Sequence, residues 1–161
     1  IMKKRFMLLI ITTTITGLMA GLFYAWSVSV TPGISRLDDR EYLLAFQGMN
    51  RAIINPLFVI CFLGAAVMLP VATFMHNGQP NFWLLTGATV FYLGGVIAVT
   101  FIGNIPLNNA LDRLNISSAT AEELATFRAQ FENRWNTLNH VRSLANTVAL
   151  VLAILACFKK F

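Results

Sequence analysis

Charged residues are scarce in this sequence, and histidine and cysteine are scarcer still. Asp, Glu, Lys and Arg make up 12% of the 161 residues, about half the share found in soluble proteins, whereas apolar residues make up 57%. This balance excludes an ordinary soluble domain and favours an integral membrane protein. The two cysteines, Cys61 and Cys157, lie inside apolar runs at opposite expected depths, so we expect no disulfide between them.

Acidic residues are outnumbered, seven against twelve basic residues, which gives a net charge of +5. The acids lie only in residues 38–41 and 112–132, and these segments are neutral once the nearby arginines Arg36, Arg51, Arg134 and Arg142 are counted. The excess positive charge belongs to residues near the two ends: Lys3, Lys4, Arg5, Lys159 and Lys160. Basic residues that flank apolar runs are typical of the cytoplasmic side of a membrane protein. The pattern therefore predicts cytoplasmic termini and excludes a nucleic-acid surface.

Four apolar runs are long enough to cross the hydrocarbon core, which requires about 20 residues. We predict membrane spans at about residues 6–30, 57–75, 82–102 and 137–158, separated by outer segments 31–56 and 103–136. The Pro-Gly pair at residues 32–33 and the stretch 103–106 are expected to end the first and third spans. The sequence thus predicts one all-α membrane domain over residues 1–161, an up-down four-helix bundle in the lipid bilayer of a bacterial cytoplasmic membrane.

Both outer segments carry helix signals and are predicted to form a helical cap over one end of the bundle. Asp38 or Asp39 can cap an amphipathic helix that lies on the membrane surface or folds over the bundle. Thr120 and Glu123 have the spacing of a capping box. Because neither glycine nor proline follows Glu123, we expect one helix of nearly forty residues, which extends out of the membrane at its start.

Small residues recur every four positions in the first span, at Gly17, Gly21 and Ala25. Such a face lets a second helix approach closely. Packing against another helix of the same chain is the simpler interpretation, and a homo-oligomer joined through the Gly17/Gly21 face is the alternative.

Polar side chains from all four predicted spans fall at one depth, next to the outer segments. They include Tyr24, Trp26, Asn55, Asn104, Asn108, Trp135, Asn139, His140, Arg142 and Asn146. On the fourth helix Trp135, Asn139, Arg142 and Asn146 share one face, whereas His140 lies on another. Helix capping by asparagine and snorkelling by arginine explain single members of this group. The whole cluster is better explained by a functional site, because ionisable groups within a membrane are costly to bury.

Four motifs carry a resemblance to a known family. They are G-L-M-A-G-L-F-Y-A-W-S at residues 17–27, N-P at 55–56, G-N-I-P-L-N at 103–108 and W-N-T-L-N-H-V-R at 135–142. In this order the chain resembles the anthrone oxygenase-like family of small four-span membrane proteins. The resemblance implies a four-helix membrane fold and, in its characterised branch, oxidation of an anthrone to an anthraquinone by dioxygen without metal or flavin. By position it implies Asn104, Asn108, Trp135, His140 and Arg142 as site residues.

The chemistry of these side chains agrees with such a reaction. We expect His140 to act as the base, with Arg142 and asparagine amides stabilising the oxyanion that forms. Trp135, Tyr24 and Trp26 are suited to stacking on a flat, lipophilic substrate, and Asn55 lies at the same depth. No cofactor is expected, since His140 as a haem or metal ligand has no second ligand at suitable spacing.

Two function classes follow from these observations. The first is a membrane oxidoreductase that oxidises a lipophilic phenolic or polyketide-like substrate with dioxygen, with His140 as the base. The second is a non-catalytic membrane module that binds a lipid- or quinone-like ligand, or a partner protein, through its outer cap. In the second class residues 38–54 form the working surface.

Overall fold

The computed structural model describes residues 2–159, so Lys160, one of the predicted basic anchors, lies outside the described residues. This part of the chain is helical and contains no β-strand. The α-helices are α1 (Met2–Ala25), α2 (Thr31–Ile34), α3 (Asp39–Ile53), α4 (Pro56–Met75), α5 (Phe82–Tyr92), α6 (Ile105–Arg113) and α7 (Ala121–Phe158). Wider π-helical turns occupy Trp26–Val30, Leu93–Ala98 and Thr100–Asn104.

Four continuous helices are long and apolar enough to cross a membrane. They are span 1 (Lys3–Ile34), span 2 (Pro56–Met75), span 3 (Phe82–Arg113) and span 4 (Ala121–Phe158). Each span packs against two others, in the order 1–2–3–4 and back to 1. The predicted all-α fold with four membrane helices is confirmed. The orientation of the termini in the membrane stays a prediction.

Two proline-containing stretches do not end their helices where the sequence predicted. Span 1 continues through Pro32 to Ile34, and span 3 continues through Pro106 to Arg113. A proline inside a helix lacks an N–H donor and its ring collides with the carbonyl four residues earlier. In both spans a π-helical turn precedes the proline. The widened turn displaces that carbonyl, which lets the helix pass the proline unbroken.

Helix α3 folds over one end of the bundle and packs against α6 and α7. Asp38 caps it by accepting a hydrogen bond from the Glu41 N–H at 2.8 Å, as predicted. Its buried face contains Tyr42, Leu43 and Phe46. Burial raises the pKa of Tyr42 well above its ordinary value, so this hydroxyl stays neutral inside the cap. The sequence left two placements open for α3, on the membrane surface or over the bundle, and the structure shows it over the bundle.

The molecule has a bundle core and a separate cap core, and α7 belongs to both. The capping box at Thr120 and Glu123 starts α7, whose 38 residues extend about 57 Å, nearly twice the hydrocarbon thickness. The first half contributes Phe131 and Trp135 to the cap core, and the second half contributes Ala149 to the bundle core. The junction between the two cores is where the candidate site lies.

The small-residue face of span 1 is partly used within the chain. A Cβ built on Gly17 would lie 3.5 Å from Leu150 Cδ1 of span 4, whereas Gly21 has no such neighbour within 4 Å among the described residues. The contact at Gly17 agrees with packing inside the chain. A homo-oligomer through the Gly17/Gly21 face remains a prediction.

Candidate functional site

A cavity of ≈ 370 Å³ lies at the junction of the bundle core and the cap core. All four spans and α3 contribute to its wall, which is mainly apolar. The large apolar side chains on the wall are Leu22, Phe23, Trp26, Phe58, Phe62 and Trp135. Pockets of this size, with an apolar wall and a few polar groups, are typical of sites for small molecules.

Arg142 is the charged side chain in the interior of this cavity, and it is only 6% exposed. Its Nη2 donates to Asn139 Oδ1 at 2.8 Å and its Nη1 donates to Thr100 Oγ1 at 3.3 Å. The guanidinium carbon lies 4.6 Å from the centroid of the Phe23 ring and 5.4 Å from that of Trp135. Within residues 2–159, Arg142 forms no ion pair and its Nε has no hydrogen-bond partner.

Asn139 fixes the position of Arg142 relative to span 1. Its amide nitrogen donates to Ser27 Oγ at 2.9 Å and to the Phe23 carbonyl at 3.3 Å, while its oxygen accepts from Arg142. Ser27 belongs to the π-helical turn of span 1. Widened turns of this kind occur often at functional sites. A neutral network thus holds a buried cation without neutralising it.

Two tryptophans form one wall of the cavity. The ring centroids of Trp26 and Trp135 are 5.2 Å apart, and both rings pack on Phe46 of α3. Trp135 Nε1 donates to Asn108 Oδ1 at 2.7 Å. This hydrogen bond sets the plane of the indole, so the wall presents a fixed aromatic surface next to Arg142.

Span 3 presents its polar side chains at intervals of four residues, at Thr100, Asn104, Asn108 and Asp112. In a regular α-helix with 3.6 residues per turn, this spacing would rotate around the axis. The π-helical turn Thr100–Asn104 widens the first of these intervals, and regular α-helix follows from Ile105, so the rotation over the whole series is small. Thr100, Asn108 and Asp112 line the cavity, whereas Asn104 is buried beside it with both amide atoms lacking a hydrogen-bond partner in the described chain.

An ion pair between Arg51 of α3 and Asp112 of α6 lies at the mouth of the cavity. Arg51 Nε and Asp112 Oδ1 are 2.7 Å apart, and their side chains are 65% and 55% exposed. Ile54, also on the wall, is 76% exposed. The mouth is therefore open to the surroundings, and its two charges cancel each other.

The structure brings together half of the residues predicted for the site. Trp26, Asn108, Trp135 and Arg142 line the cavity, and Asn104 lies just behind its wall. The predicted division of the fourth helix into two faces is also seen. Trp135, Asn139, Arg142 and Asn146 are buried, while the neighbouring His140 is exposed.

Three predicted site residues lie away from the cavity. His140 is exposed on a different face of α7, because it follows Asn139 by about 100° around the helix. Tyr24 is 58% exposed and points away from the bundle. Asn55 caps span 2, accepting from the Phe58 N–H at 3.0 Å and donating to the Ala52 carbonyl at 3.0 Å. Its role in the structure is that of a helix cap.

Sequence reasoning missed Thr100 and Asp112 as members of the wall. The four-residue spacing through Asn108 was a usable signal for both. It was hidden because the third span was predicted to end at residue 102, which separated these residues into different elements. Span 3 continues as one helix to Arg113, and this continuity brings Thr100, Asn108 and Asp112 to the cavity together.

No group of three or more His, Cys, Asp or Glu side chains that could hold a metal ion occurs between residues 2 and 159. His140, the candidate for haem or metal ligation, therefore belongs to no such group in the same part of the chain. The absence of a cofactor stays a prediction. The cavity's own polar groups include the Arg142 guanidinium, the amides, the Thr100 hydroxyl and the Arg51–Asp112 ion pair at the mouth.

One comparison with known proteins identifies a family. The family model described as anthrone oxygenase matches residues 42–152. This range includes most of α3, spans 2 and 3 and most of span 4, and with them every wall residue named above except those of span 1. Neither a curated protein nor a solved structure gives a significant match to the chain.

Proposed function

The chain belongs to the anthrone oxygenase family, and from that premise we propose that it is a membrane oxidoreductase that oxidises a lipophilic phenolic or polyketide-like substrate with dioxygen. The observation that carries the proposal is the buried, unpaired cation of Arg142 beside the aromatic wall formed by Trp26 and Trp135. This pairing suits a flat aromatic molecule that becomes negatively charged during the reaction.

The proposed reaction converts an activated methylene group into a ketone. Loss of one C–H proton leaves an electron pair that is delocalised through the aromatic rings onto the carbonyl oxygen across the central ring, which gives an enolate. Dioxygen then bonds to that carbon, and loss of water from the resulting hydroperoxide gives the ketone. One oxygen atom enters the product and the other leaves as water, so the four electrons come from the substrate.

Arg142 has the position required to stabilise the enolate. A guanidinium in a low-dielectric cavity stabilises developing negative charge more strongly than the same group in water. Thr100 and Asn139 already hold it in place, so little reorganisation is needed when the charge develops. Arg142 lines the cavity, and its guanidinium has more N–H donors than its two hydrogen bonds use, so it can also donate to the oxyanion.

The position of His140 gives no support to its predicted role as the base. A general base must come within hydrogen-bonding distance of the proton that it removes, directly or through one water. The imidazole is on an exposed face of α7 and is not part of the cavity wall. We therefore assign the charge stabilisation to Arg142 and leave His140 out of the reaction.

The direct test is dioxygen uptake by the purified protein with an anthrone such as emodin anthrone. The protein in lipid nanodiscs is expected to consume one dioxygen per anthrone and to form the quinone well above the rate of spontaneous oxidation. Empty nanodiscs and the corresponding anthraquinone, which has no methylene group, are the controls. Uptake no faster than in empty nanodiscs across a panel of anthrones and quinols would contradict the proposal.

The second candidate is a non-catalytic module that binds a lipid- or quinone-like ligand. Its support is that the described residues lining the cavity include a cation and aromatic rings but no histidine that could act as a base. Binding of a partner protein through residues 38–54 has less support, because the apolar side chains Leu43 and Phe46 are buried against α6 and α7. Ligand binding without dioxygen uptake is the outcome that favours this candidate.

A further inference from the structure

We propose that the cavity binds its ligand as an anion, so that the preferred ligands are flat, lipophilic acids whose phenolate or enolate oxygen contacts Arg142. This inference rests on the proposed function for the identity of the site. It goes further by stating the charge of the bound molecule. It also states where the proton is lost, namely to solvent as the ligand enters.

The charge balance of the cavity is the first argument. Arg142 is 6% exposed and forms no ion pair in the part of the chain that the structure describes. Arg51 and Asp112 also line the cavity, but they pair with each other at the mouth. The described residues that line the cavity thus carry one uncompensated positive charge, which a monoanionic ligand neutralises.

The hydrogen-bonding state of Arg142 is the second argument. Its two terminal nitrogens donate to neutral oxygens of Asn139 and Thr100, and its Nε is buried without an acceptor. A guanidinium has five N–H donors and no acceptor, so donors remain for an oxygen atom of a ligand in the cavity. Hydrogen bonds from a guanidinium to an anionic oxygen are shorter and stronger than those to a neutral oxygen.

The aromatic surroundings select a delocalised anion over a compact one. Phe23 and Trp135 lie against the guanidinium, and Trp26 extends the same wall. A small hydrated anion would lose its water without gaining contacts with these rings. A phenolate fused to a flat ring system gains both the ion pair and the stacking contact.

Loss of the proton before binding also accounts for the position of His140. If the substrate enters as its enolate, the C–H proton has already been lost to solvent, so the cavity needs no base to remove it and His140 can lie on an exposed face without consequence. The alternative is proton transfer inside the cavity to Asp112, the carboxylate on its wall in the described residues. In that case Asp112→Asn would abolish the phenolate that the experiment below detects, whereas ionisation in solvent does not need this carboxylate.

The test uses 1,8-dihydroxyanthraquinone, whose phenolate absorbs at longer wavelength than its phenol and which has no methylene group to oxidise. The dye is titrated from about pH 5 to pH 11 with purified protein in detergent and, separately, in empty micelles. We expect the protein-bound dye to ionise at least one pH unit lower than the micellar dye. A shift of one unit means that the protein prefers the anion over the neutral dye about tenfold more than the micelle does. Unsubstituted anthraquinone, which cannot ionise, is expected to bind with no dependence on pH.

Two variants and one matched control complete the test. Arg142→Met keeps most of the side-chain volume without the charge and is expected to abolish the shift. Arg142→Lys keeps the charge and is expected to retain part of it. Arg134→Met removes an exposed positive charge from the same helix, two turns earlier, and is expected to leave the shift unchanged. Binding of neutral anthraquinone to each variant checks that the cavity is intact.

The inference is overturned if wild-type protein binds the dye as the neutral phenol, fails to bind it, or shows the same shift as Arg142→Met. The dye titration measures binding and needs no turnover, so this inference and the proposed function can fail independently. Dioxygen uptake with a neutral bound dye refutes this inference alone. A lowered ionisation midpoint without dioxygen uptake from any anthrone refutes the proposed function alone.

Discussion

Asparagine side chains have two different roles around the cavity. Asn139 contacts Arg142, Ser27 and the Phe23 carbonyl at once, so its amide belongs to the network that holds the cation. Asn55, which was predicted at the same depth, instead accepts a hydrogen bond from the Phe58 N–H in the first turn of span 2. Depth within the membrane therefore does not distinguish a site residue from a cap; the hydrogen-bond partners do.

Replacing Asn55 by alanine tests this distinction. Loss of the cap leaves the Phe58 N–H without its acceptor and is expected to lower the free energy of unfolding by about 1 kcal/mol. The kcat and KM for an anthrone are expected to stay within about twofold of wild type, because Asn55 is not on the cavity wall. Thermal unfolding in detergent and dioxygen uptake measure the two effects. A KM raised severalfold with unchanged stability would instead make Asn55 a binding residue.

At the scale of helices, the contact between spans 3 and 4 sets the position of Arg142. Gly95 approaches Ala145 so closely that a Cβ on Gly95 would overlap the Ala145 Cβ, three residues after Arg142. Gly94, the preceding residue, has no such neighbour within 4 Å in the described chain. The two glycines therefore offer a matched pair for testing the helix contact.

Gly95→Ala is expected to separate spans 3 and 4 and to cost about 1–3 kcal/mol of stability through overpacking. The Thr100–Arg142 hydrogen bond lies a little over one turn away, so dioxygen uptake should fall as well. Gly94→Ala is the control, and it should leave stability unchanged or raise it by up to about 1 kcal/mol. Thermal unfolding and dioxygen uptake are measured for both. Equal behaviour of the two variants would show that this contact does not control the site.

The same elements explain which parts of the structure could be predicted from sequence. Apolar length predicts the four spans, and the capping residues Asp38 and Thr120 predict where α3 and α7 begin. Passage of a helix through Pro32 or Pro106 depends on the preceding π-helical turn, for which the sequence has no reliable signal. The error at Pro106 then hid the alignment of Thr100 with Asn108 and Asp112.

At the scale of the whole molecule, the cavity results from two cores that share one long helix. Span 4 crosses the bundle core and continues into the cap core, and the packing is incomplete where the two meet. The polar cluster at this depth could be predicted from sequence because its residues recur at the ends of the apolar runs. Which face of α7 looks into the cavity depends on the packing of the other helices, and this is why His140 was predicted together with Arg142.

The comparison of Arg142→Met with His140→Ala is the most direct test of the account. Both variants are assayed for kcat/KM of anthrone oxidation in nanodiscs, with thermal unfolding as a check on folding. Loss of the oxyanion-stabilising cation is expected to lower kcat/KM by about 10²–10³-fold. His140→Ala is expected to remain within about twofold of wild type, because the imidazole is exposed on another face. The reverse pattern, an inactive His140→Ala and an active Arg142→Met, would contradict the account.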